Sequence, residues 1–147
     1  MSHTFLLKEG KWYASGVLFD EHEVEVPIAG HAFVEHQEGK WLNHSMMRLL
    51  TDKPLEYNNE YEIVPIPEGK AWTVWTSYNP ALGRMTGTFV IVGDSILSTY
   101  RSETGEYSGS EYFLREDENT YQSVGTLFRG AVKVSSWEAM LTREGAG

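Results

Sequence analysis

The sequence predicts an all-β protein: a single up-and-down antiparallel β-barrel of about ten strands. Two observations favour this fold. Turn signals recur about every ten residues, and the segments between them alternate in polarity instead of repeating at helical spacing. The chain has 147 residues, and we expect residues 1–147 to form one domain.

Turn-forming residues separate the predicted strands in order along the chain. These separators occupy residues 38–40, 67–70, 79–83, 93–94, 103–106, 116–119 and 129–130. Between two of them, segment 57–64 places Tyr57, Tyr61 and Ile63 on one face and polar side chains on the other, as expected for a strand with one wet side. Segment 71–78 carries apolar groups on both faces, which indicates an enclosed and partly polar interior.

The two ends of the chain predict different elements. Residues 3–9 include Phe5, and we expect a short turn that plugs one end of the barrel. Near the other end, residues 135–138 resemble a helix capping box. We favour a strand there because Trp137, Ala139 and Leu141 also fit a period of two, and a closed sheet needs a last strand to pair with the first.

Composition excludes several classes of function. Cysteine is absent, which excludes disulfides, thiolate nucleophiles and cysteine-bound metals. The 12 basic and 21 acidic residues give a formal net charge of −9, which disfavours nucleic acid and anionic membranes as partners. With neither a signal peptide nor an apolar stretch long enough to span a bilayer, we expect a cytoplasmic protein.

The Gly10-Lys11-Trp12 opening, followed by about ten short strands, resembles the calycin superfamily of lipocalins, fatty-acid-binding proteins and nitrobindins. The nearest likeness is to small bacterial lipocalin-like proteins of uncharacterised role, which imply a fold and no activity. The resemblance implies that Trp12 packs over the closed end of the barrel. It also implies an arginine partner from late in the chain, for which Arg143 or Arg129 is the candidate.

The resemblance implies no cofactor for this chain. Nitrobindin-like proteins use a histidine from late in the chain as the haem ligand, whereas the five histidines here lie in the first third. Haem is therefore not expected. Residues 20–23 leave room only for a turn where fatty-acid-binding proteins carry a helical lid.

One group of residues suggests a metal site. If residues 38 and 39 form a two-residue turn, Phe33 lies opposite His44 and Glu35 opposite Leu42, which brings His31, Glu35 and His44 onto one face. A three-residue turn would dissolve the group. We favour ordinary surface histidines and expect no bound metal.

A second group arises from the hairpin at residues 104–105. A two-residue turn places Ser98 opposite Glu111 and Tyr100 opposite Gly109. Depending on which face points inward, the barrel would hold either Glu111 with Tyr100 or Arg101 with two serines, Ser108 and Ser110. Buried charges need partners, so either pair could orient the polar head of a ligand.

These observations favour a protein that binds a small, mostly hydrophobic or amphipathic ligand inside the barrel. The candidate ligand-binding residues are Trp72, Trp75, Tyr78, Tyr100, Arg101, Glu111 and His44. Two alternatives stay open: a small-barrel enzyme using His44, Glu111 or Tyr100 in acid–base chemistry, and a structural protein with a filled barrel. The sequence identifies no catalytic residue and is compatible with a homo-oligomer.

Overall fold

The computed structural model of the protein describes residues 2–145 as β-strands joined by turns. In chain order the strands are β1 Gly10–Phe19, β2 Glu25–Gln37, β3 Lys40–Leu49, β4 Leu55–Ile63, β5 Trp72–Asn79, β6 Gly83–Val92, β7 Ser95–Ser102, β8 Tyr107–Asp117, β9 Thr120–Arg129 and β10 Val132–Arg143. In this part of the chain, no helix has the length and apolar character needed to cross a membrane.

The strands close into one antiparallel barrel in which each strand pairs with its neighbours in sequence and β1 pairs with β10. This confirms the predicted up-and-down barrel. The last segment is a strand, as expected from the period of two: Trp12 lies opposite Arg143, and Phe19 lies opposite Ser136. Closure leaves no free edge, so every strand has a hydrogen-bonded partner on both sides.

The N-terminal segment closes one end of the barrel, as predicted. Residues 5–7 form a turn, and both Phe5 and Leu6 are buried. The segment is tied down by His3: Tyr121 Oη lies 2.7 Å from Nδ1, and Nε2 lies 2.9 Å from the Gly93 carbonyl oxygen. Because that carbonyl can only accept, Nε2 carries the proton and the Tyr121 hydroxyl donates to Nδ1.

Trp12 lies under this plug and is fully buried, as predicted. Its ring meets those of Phe5 and Tyr121 edge-on, with centroids 5.5 Å away in both cases. Of the two candidate arginines, Arg143 is the one opposite Trp12 in the ladder, whereas Arg129 pairs with Glu106 at 2.8 Å.

Two inward-facing indole rings lie against glycines of the adjacent strand. Trp75 lies beside Gly87, and Trp137 lies beside Gly125. A Cβ atom added to either glycine would overlap the neighbouring ring. The glycines therefore fix where the two indoles lie in the barrel, and no larger residue fits without moving them.

Gly125→Ala is expected to lower the free energy of unfolding by about 1–3 kcal/mol, because the added methyl group must displace the Trp137 ring. Urea unfolding of Gly125→Ala, Trp137→Ala and the double variant measures the coupling between the two sites. If the ring is the cause, the glycine substitution should have almost no effect once Trp137 is already alanine. An equal loss of stability in both backgrounds would contradict this explanation.

Candidate functional site

The barrel encloses a cavity of about 520 Å³ below the plug. This volume falls in the range of small-molecule sites, roughly 300–1,000 Å³. Its wall is largely apolar. The aliphatic and thioether part of the wall includes Leu18, Met47, Met85, Leu127 and Leu141.

Aromatic rings cluster around Trp75 on one side of the cavity. Tyr61 meets the indole edge-on at 5.1 Å between centroids, Phe89 lies 5.8 Å away, and Tyr100 lies 5.9 Å away. Trp75 Nε1 donates to Ser98 Oγ at 3.1 Å, which fixes the orientation of the ring. The side chains that would contact an apolar ligand are thus held by their neighbours.

Glu111 places a carboxyl group inside the barrel. Its Oε2 accepts hydrogen bonds from Ser123 Oγ at 3.2 Å and from Trp137 Nε1 at 3.1 Å. Burial raises the pKa of Glu111 to about 7, although these two hydrogen bonds favour the charged form and limit the rise. At neutral pH both protonation states are populated.

The Glu111 carboxylate interacts electrostatically with two buried tyrosines, Tyr61 and Tyr100. Burial raises the pKa of both Tyr61 and Tyr100 above the usual range, and repulsion by the Glu111 carboxylate adds to the rise. Both therefore stay protonated at physiological pH. The Tyr100 hydroxyl donates to the Thr126 carbonyl oxygen at 2.5 Å, so its proton is already used.

Asparagines form a second polar region of the cavity wall. Asn79 Nδ2 donates to Asn59 Oδ1 at 2.6 Å, and Asn79 Oδ1 accepts from the Ala81 amide at 2.7 Å. Asn43 also lines the cavity and is only 7% exposed. In the described part of the chain its buried Oδ1 has no hydrogen-bond partner.

Three of the sequence-predicted site residues line the cavity: Trp75, Tyr100 and Glu111. The predicted hairpin register is correct, since Ser98 lies opposite Glu111 and Tyr100 lies opposite Gly109. Of the two faces left open by the sequence, the structure selects the one carrying Glu111 and Tyr100.

Three other predicted residues lie on the outside of the barrel. Trp72 and Tyr78 are 56% and 58% exposed, and Arg101 is exposed as well. Successive side chains of a strand point to opposite faces, so these residues, which alternate with Trp75 and Tyr100, point away from the cavity. They do not belong to the interior site.

The seventh residue, His44, also lies on the outer face. The predicted register of this hairpin is correct, with Phe33 opposite His44 and Glu35 opposite Leu42. His44 Nδ1 contacts the Glu60 carboxylate, and its Nε2 lies 3.9 Å from Glu35. Across residues 2–145, no three histidine or carboxylate side chains are grouped closely enough to hold a metal ion.

Sequence reasoning did not propose Trp137, Ser123 or Asn43 as site residues. The signal for Trp137 was available, because its alternation with Leu141 places it on the inner face of the last strand. Ser123 and Asn43 resemble many other small polar residues of the chain. Their roles depend on cross-strand neighbours.

Fold and site together define a closed ten-stranded β-barrel with a largely apolar internal cavity and a carboxyl group inside it. The crystal structure of Rv2717c from M. tuberculosis is similar, with a TM-score of 0.68 and 14% identity over 92% of each chain. This likeness shows the fold alone. An N-terminal dehydratase from the difficidin assembly line also matches, over 93% of this chain and 78% of its own, with 8% identity and a TM-score of only 0.29.

No family model matches the chain, and no curated protein matches it. The calycin superfamily therefore stays a resemblance. The shared barrel with Rv2717c supports the architecture that the resemblance implied, and it assigns no ligand.

Proposed function

We propose that the protein binds a small, mostly apolar molecule with one polar group inside the barrel. The observation that supports this function is the cavity of about 520 Å³, whose mainly apolar wall contains Glu111 and Asn43. Filled protein interiors leave few voids larger than a water molecule, so a cavity of this size argues against a purely structural barrel.

The polar groups of the wall support a ligand that is not purely hydrocarbon. A buried polar atom without a hydrogen bond costs about 1–3 kcal/mol, and Asn43 Oδ1 is such an atom in the described structure. Both hydrogen bonds of Glu111 reach Oε2, so Oε1 is available to a bound molecule. A polar group on the ligand would satisfy these atoms.

Binding can be tested with N-phenyl-1-naphthylamine, an uncharged dye that fluoresces more strongly in apolar surroundings. We expect saturable binding at micromolar concentrations. Ala139 lines the cavity, whereas the next residue, Met140, is partly exposed on the outer face. Ala139→Phe should weaken dye binding by at least about tenfold because the ring occupies the cavity, and Met140→Phe should leave it unchanged.

Circular dichroism and thermal unfolding would first establish that both variants fold. A folded Ala139→Phe protein with unchanged affinity would place the dye outside the cavity and contradict the proposal. Tryptophan emission adds a second readout. Quenching by the dye should persist in Trp72→Phe, which removes an outer indole, and should decrease in Trp75→Phe, which removes one that lines the cavity.

Acid–base catalysis is a second candidate, supported by the position of Glu111 in the cavity wall. Its pKa of about 7 lets the carboxyl group donate or accept a proton at neutral pH. Native mass spectrometry of the freshly purified protein would identify a retained molecule. If wild-type protein converts that molecule and Glu111→Gln does not, the enzyme reading is supported. An unchanged molecule supports binding.

A further inference from the structure

We infer that the polar group of the ligand is a protonated amine, bound by the carboxylate of Glu111 among the aromatic rings around it. This inference rests on the proposed function and specifies the class of ligand. It follows from the charges of the cavity wall, the hydrogen-bonding atoms left without partners, and the rings that surround Glu111.

The charges of the wall exclude an anionic head group. In the described part of the chain, neither lysine nor arginine lines the cavity. The one histidine in the lining, His31, lies on β2 between Gly30 and Ala32, which occupy the inward positions. A carboxylate or phosphate inside the barrel would have no counter-ion and would face Glu111.

Two acceptor oxygens of the wall lack a hydrogen-bond donor. Glu111 Oε1 and Asn43 Oδ1 have no hydrogen-bond donor among residues 2–145, whereas the Tyr100 hydroxyl and Trp75 Nε1 already donate to protein atoms. An ammonium group has three donors and no acceptor, so it matches this set. A ligand that offered only acceptors would leave both oxygens unpaired.

The surroundings of Glu111 suit a cation. Trp137 donates to the carboxylate, and the charge of Glu111 acts on Tyr61 and Tyr100, whose rings pack against Trp75. Aromatic faces attract cations, and the attraction is stronger where water is excluded. The apolar body of the ligand would occupy the rest of the cavity.

The overall charge of the protein also favours a cationic ligand. The net charge of −9 attracts cations and repels anions. Asp20 also lies in the lining, where the amides of His22 and Val24 hold its carboxylate and lower its pKa. It adds a second negative charge to the cavity wall.

The test compares three ligands with the same chain and different heads: octylamine, octanol and octanoate. Each competes with N-phenyl-1-naphthylamine below its micelle concentration. At about pH 8.5 the Glu111 carboxyl is largely ionised and the alkylammonium is still protonated. We expect octylamine to displace the dye at concentrations at least about tenfold lower than octanol, and octanoate to be the weakest of the three.

Glu111→Gln should abolish the advantage of octylamine, leaving its affinity within about threefold of that of octanol measured on the same variant. Glu138→Gln is the matched control, since Glu138 is exposed and lies on the outer face of β10. It should leave the advantage intact.

The wild-type protein provides a test that does not depend on the folding of a variant. Lowering the pH from about 8.5 to about 6 protonates Glu111 and should weaken the binding of octylamine about tenfold relative to that of octanol. The other titratable groups facing Glu111, Tyr61 and Tyr100, remain protonated over this range.

The outcomes separate this inference from the proposed function. If the dye and octanol bind but octylamine has no advantage, or if its advantage does not depend on pH, the amine inference is wrong and the binding function stands. If octanoate is the strongest competitor, the inference is also wrong. If the dye itself does not bind, the proposed function fails.

Discussion

Replacing Trp12 by alanine should lower the free energy of unfolding by about 3–5 kcal/mol, the usual range for removing a large buried aromatic side chain. Trp12 is 0% exposed and meets both Phe5 and Tyr121 edge-on. Its loss would leave the plug without the surface it packs on. Equilibrium unfolding in urea, followed by far-ultraviolet circular dichroism, measures the change.

Trp72→Ala is the matched control. Trp72 is 56% exposed on the outer face, so the same substitution should cost less than about 1 kcal/mol. If the two variants lose similar stability, Trp12 is not the centre of the closed end.

The second large effect is a dependence of stability on pH that comes from Glu111. Its pKa rises from an ordinary 4.5 to about 7 in the folded protein, so the folded state binds this proton more tightly than the unfolded state. The free energy of unfolding should therefore fall as pH rises from about 4.5 to about 7, by up to about 3 kcal/mol, and then level off.

Glu111→Gln isolates this contribution, because glutamine has the shape of the neutral carboxyl and does not ionise. Relative to wild type, the variant should gain stability as pH rises through the same window and be the more stable protein at about pH 8. Urea unfolding at a series of pH values measures the difference. Glu138→Gln, on the outer face, should show no comparable trend. A wild-type and Glu111→Gln difference that is constant with pH would show that the carboxyl is not desolvated.

Much of the barrel was predictable because its determinants are local. Short connections such as those at residues 38–39 and 103–106 set the hairpin registers, and both predicted registers are correct. The plug and the final strand were predictable for a similar reason. Trp137, Ala139 and Leu141 repeat with the period of a strand, and a closed sheet leaves no other place for them.

The site was predictable only in part, because alternation fixes which residues share a face and not which face is inside. Arg101 and Tyr100 are adjacent on one strand, and both faces of that strand carry polar groups. The same holds for β5, where Trp75 lines the cavity and Trp72 does not. His44 was drawn into the candidate set by its chemistry, although its partners Glu35 and Glu60 lie with it on the outer surface.

The polar details of the site depend on contacts between strands that the sequence keeps apart. Ser123 and Trp137 reach Glu111 from β9 and β10, and Asn43 lies on β3. No local pattern marks these residues as neighbours. They come together only when the barrel closes and its strands take their final registers.

Closure also determines the order in which the chain can fold. Across residues 2–145, every pair of hydrogen-bonded strands except β1 and β10 is consecutive in sequence. Pairing such strands closes only a short loop. The β1–β10 ladder must bring Trp12 to Arg143 from opposite ends of the chain, which carries the largest loss of chain entropy. We therefore expect the hairpins to form first and the pairing of β1 with β10 to be the late, slow step. The hydrogen bonds of His3 to Tyr121 and Gly93 then stabilise the closed barrel against separation of β1 from β10.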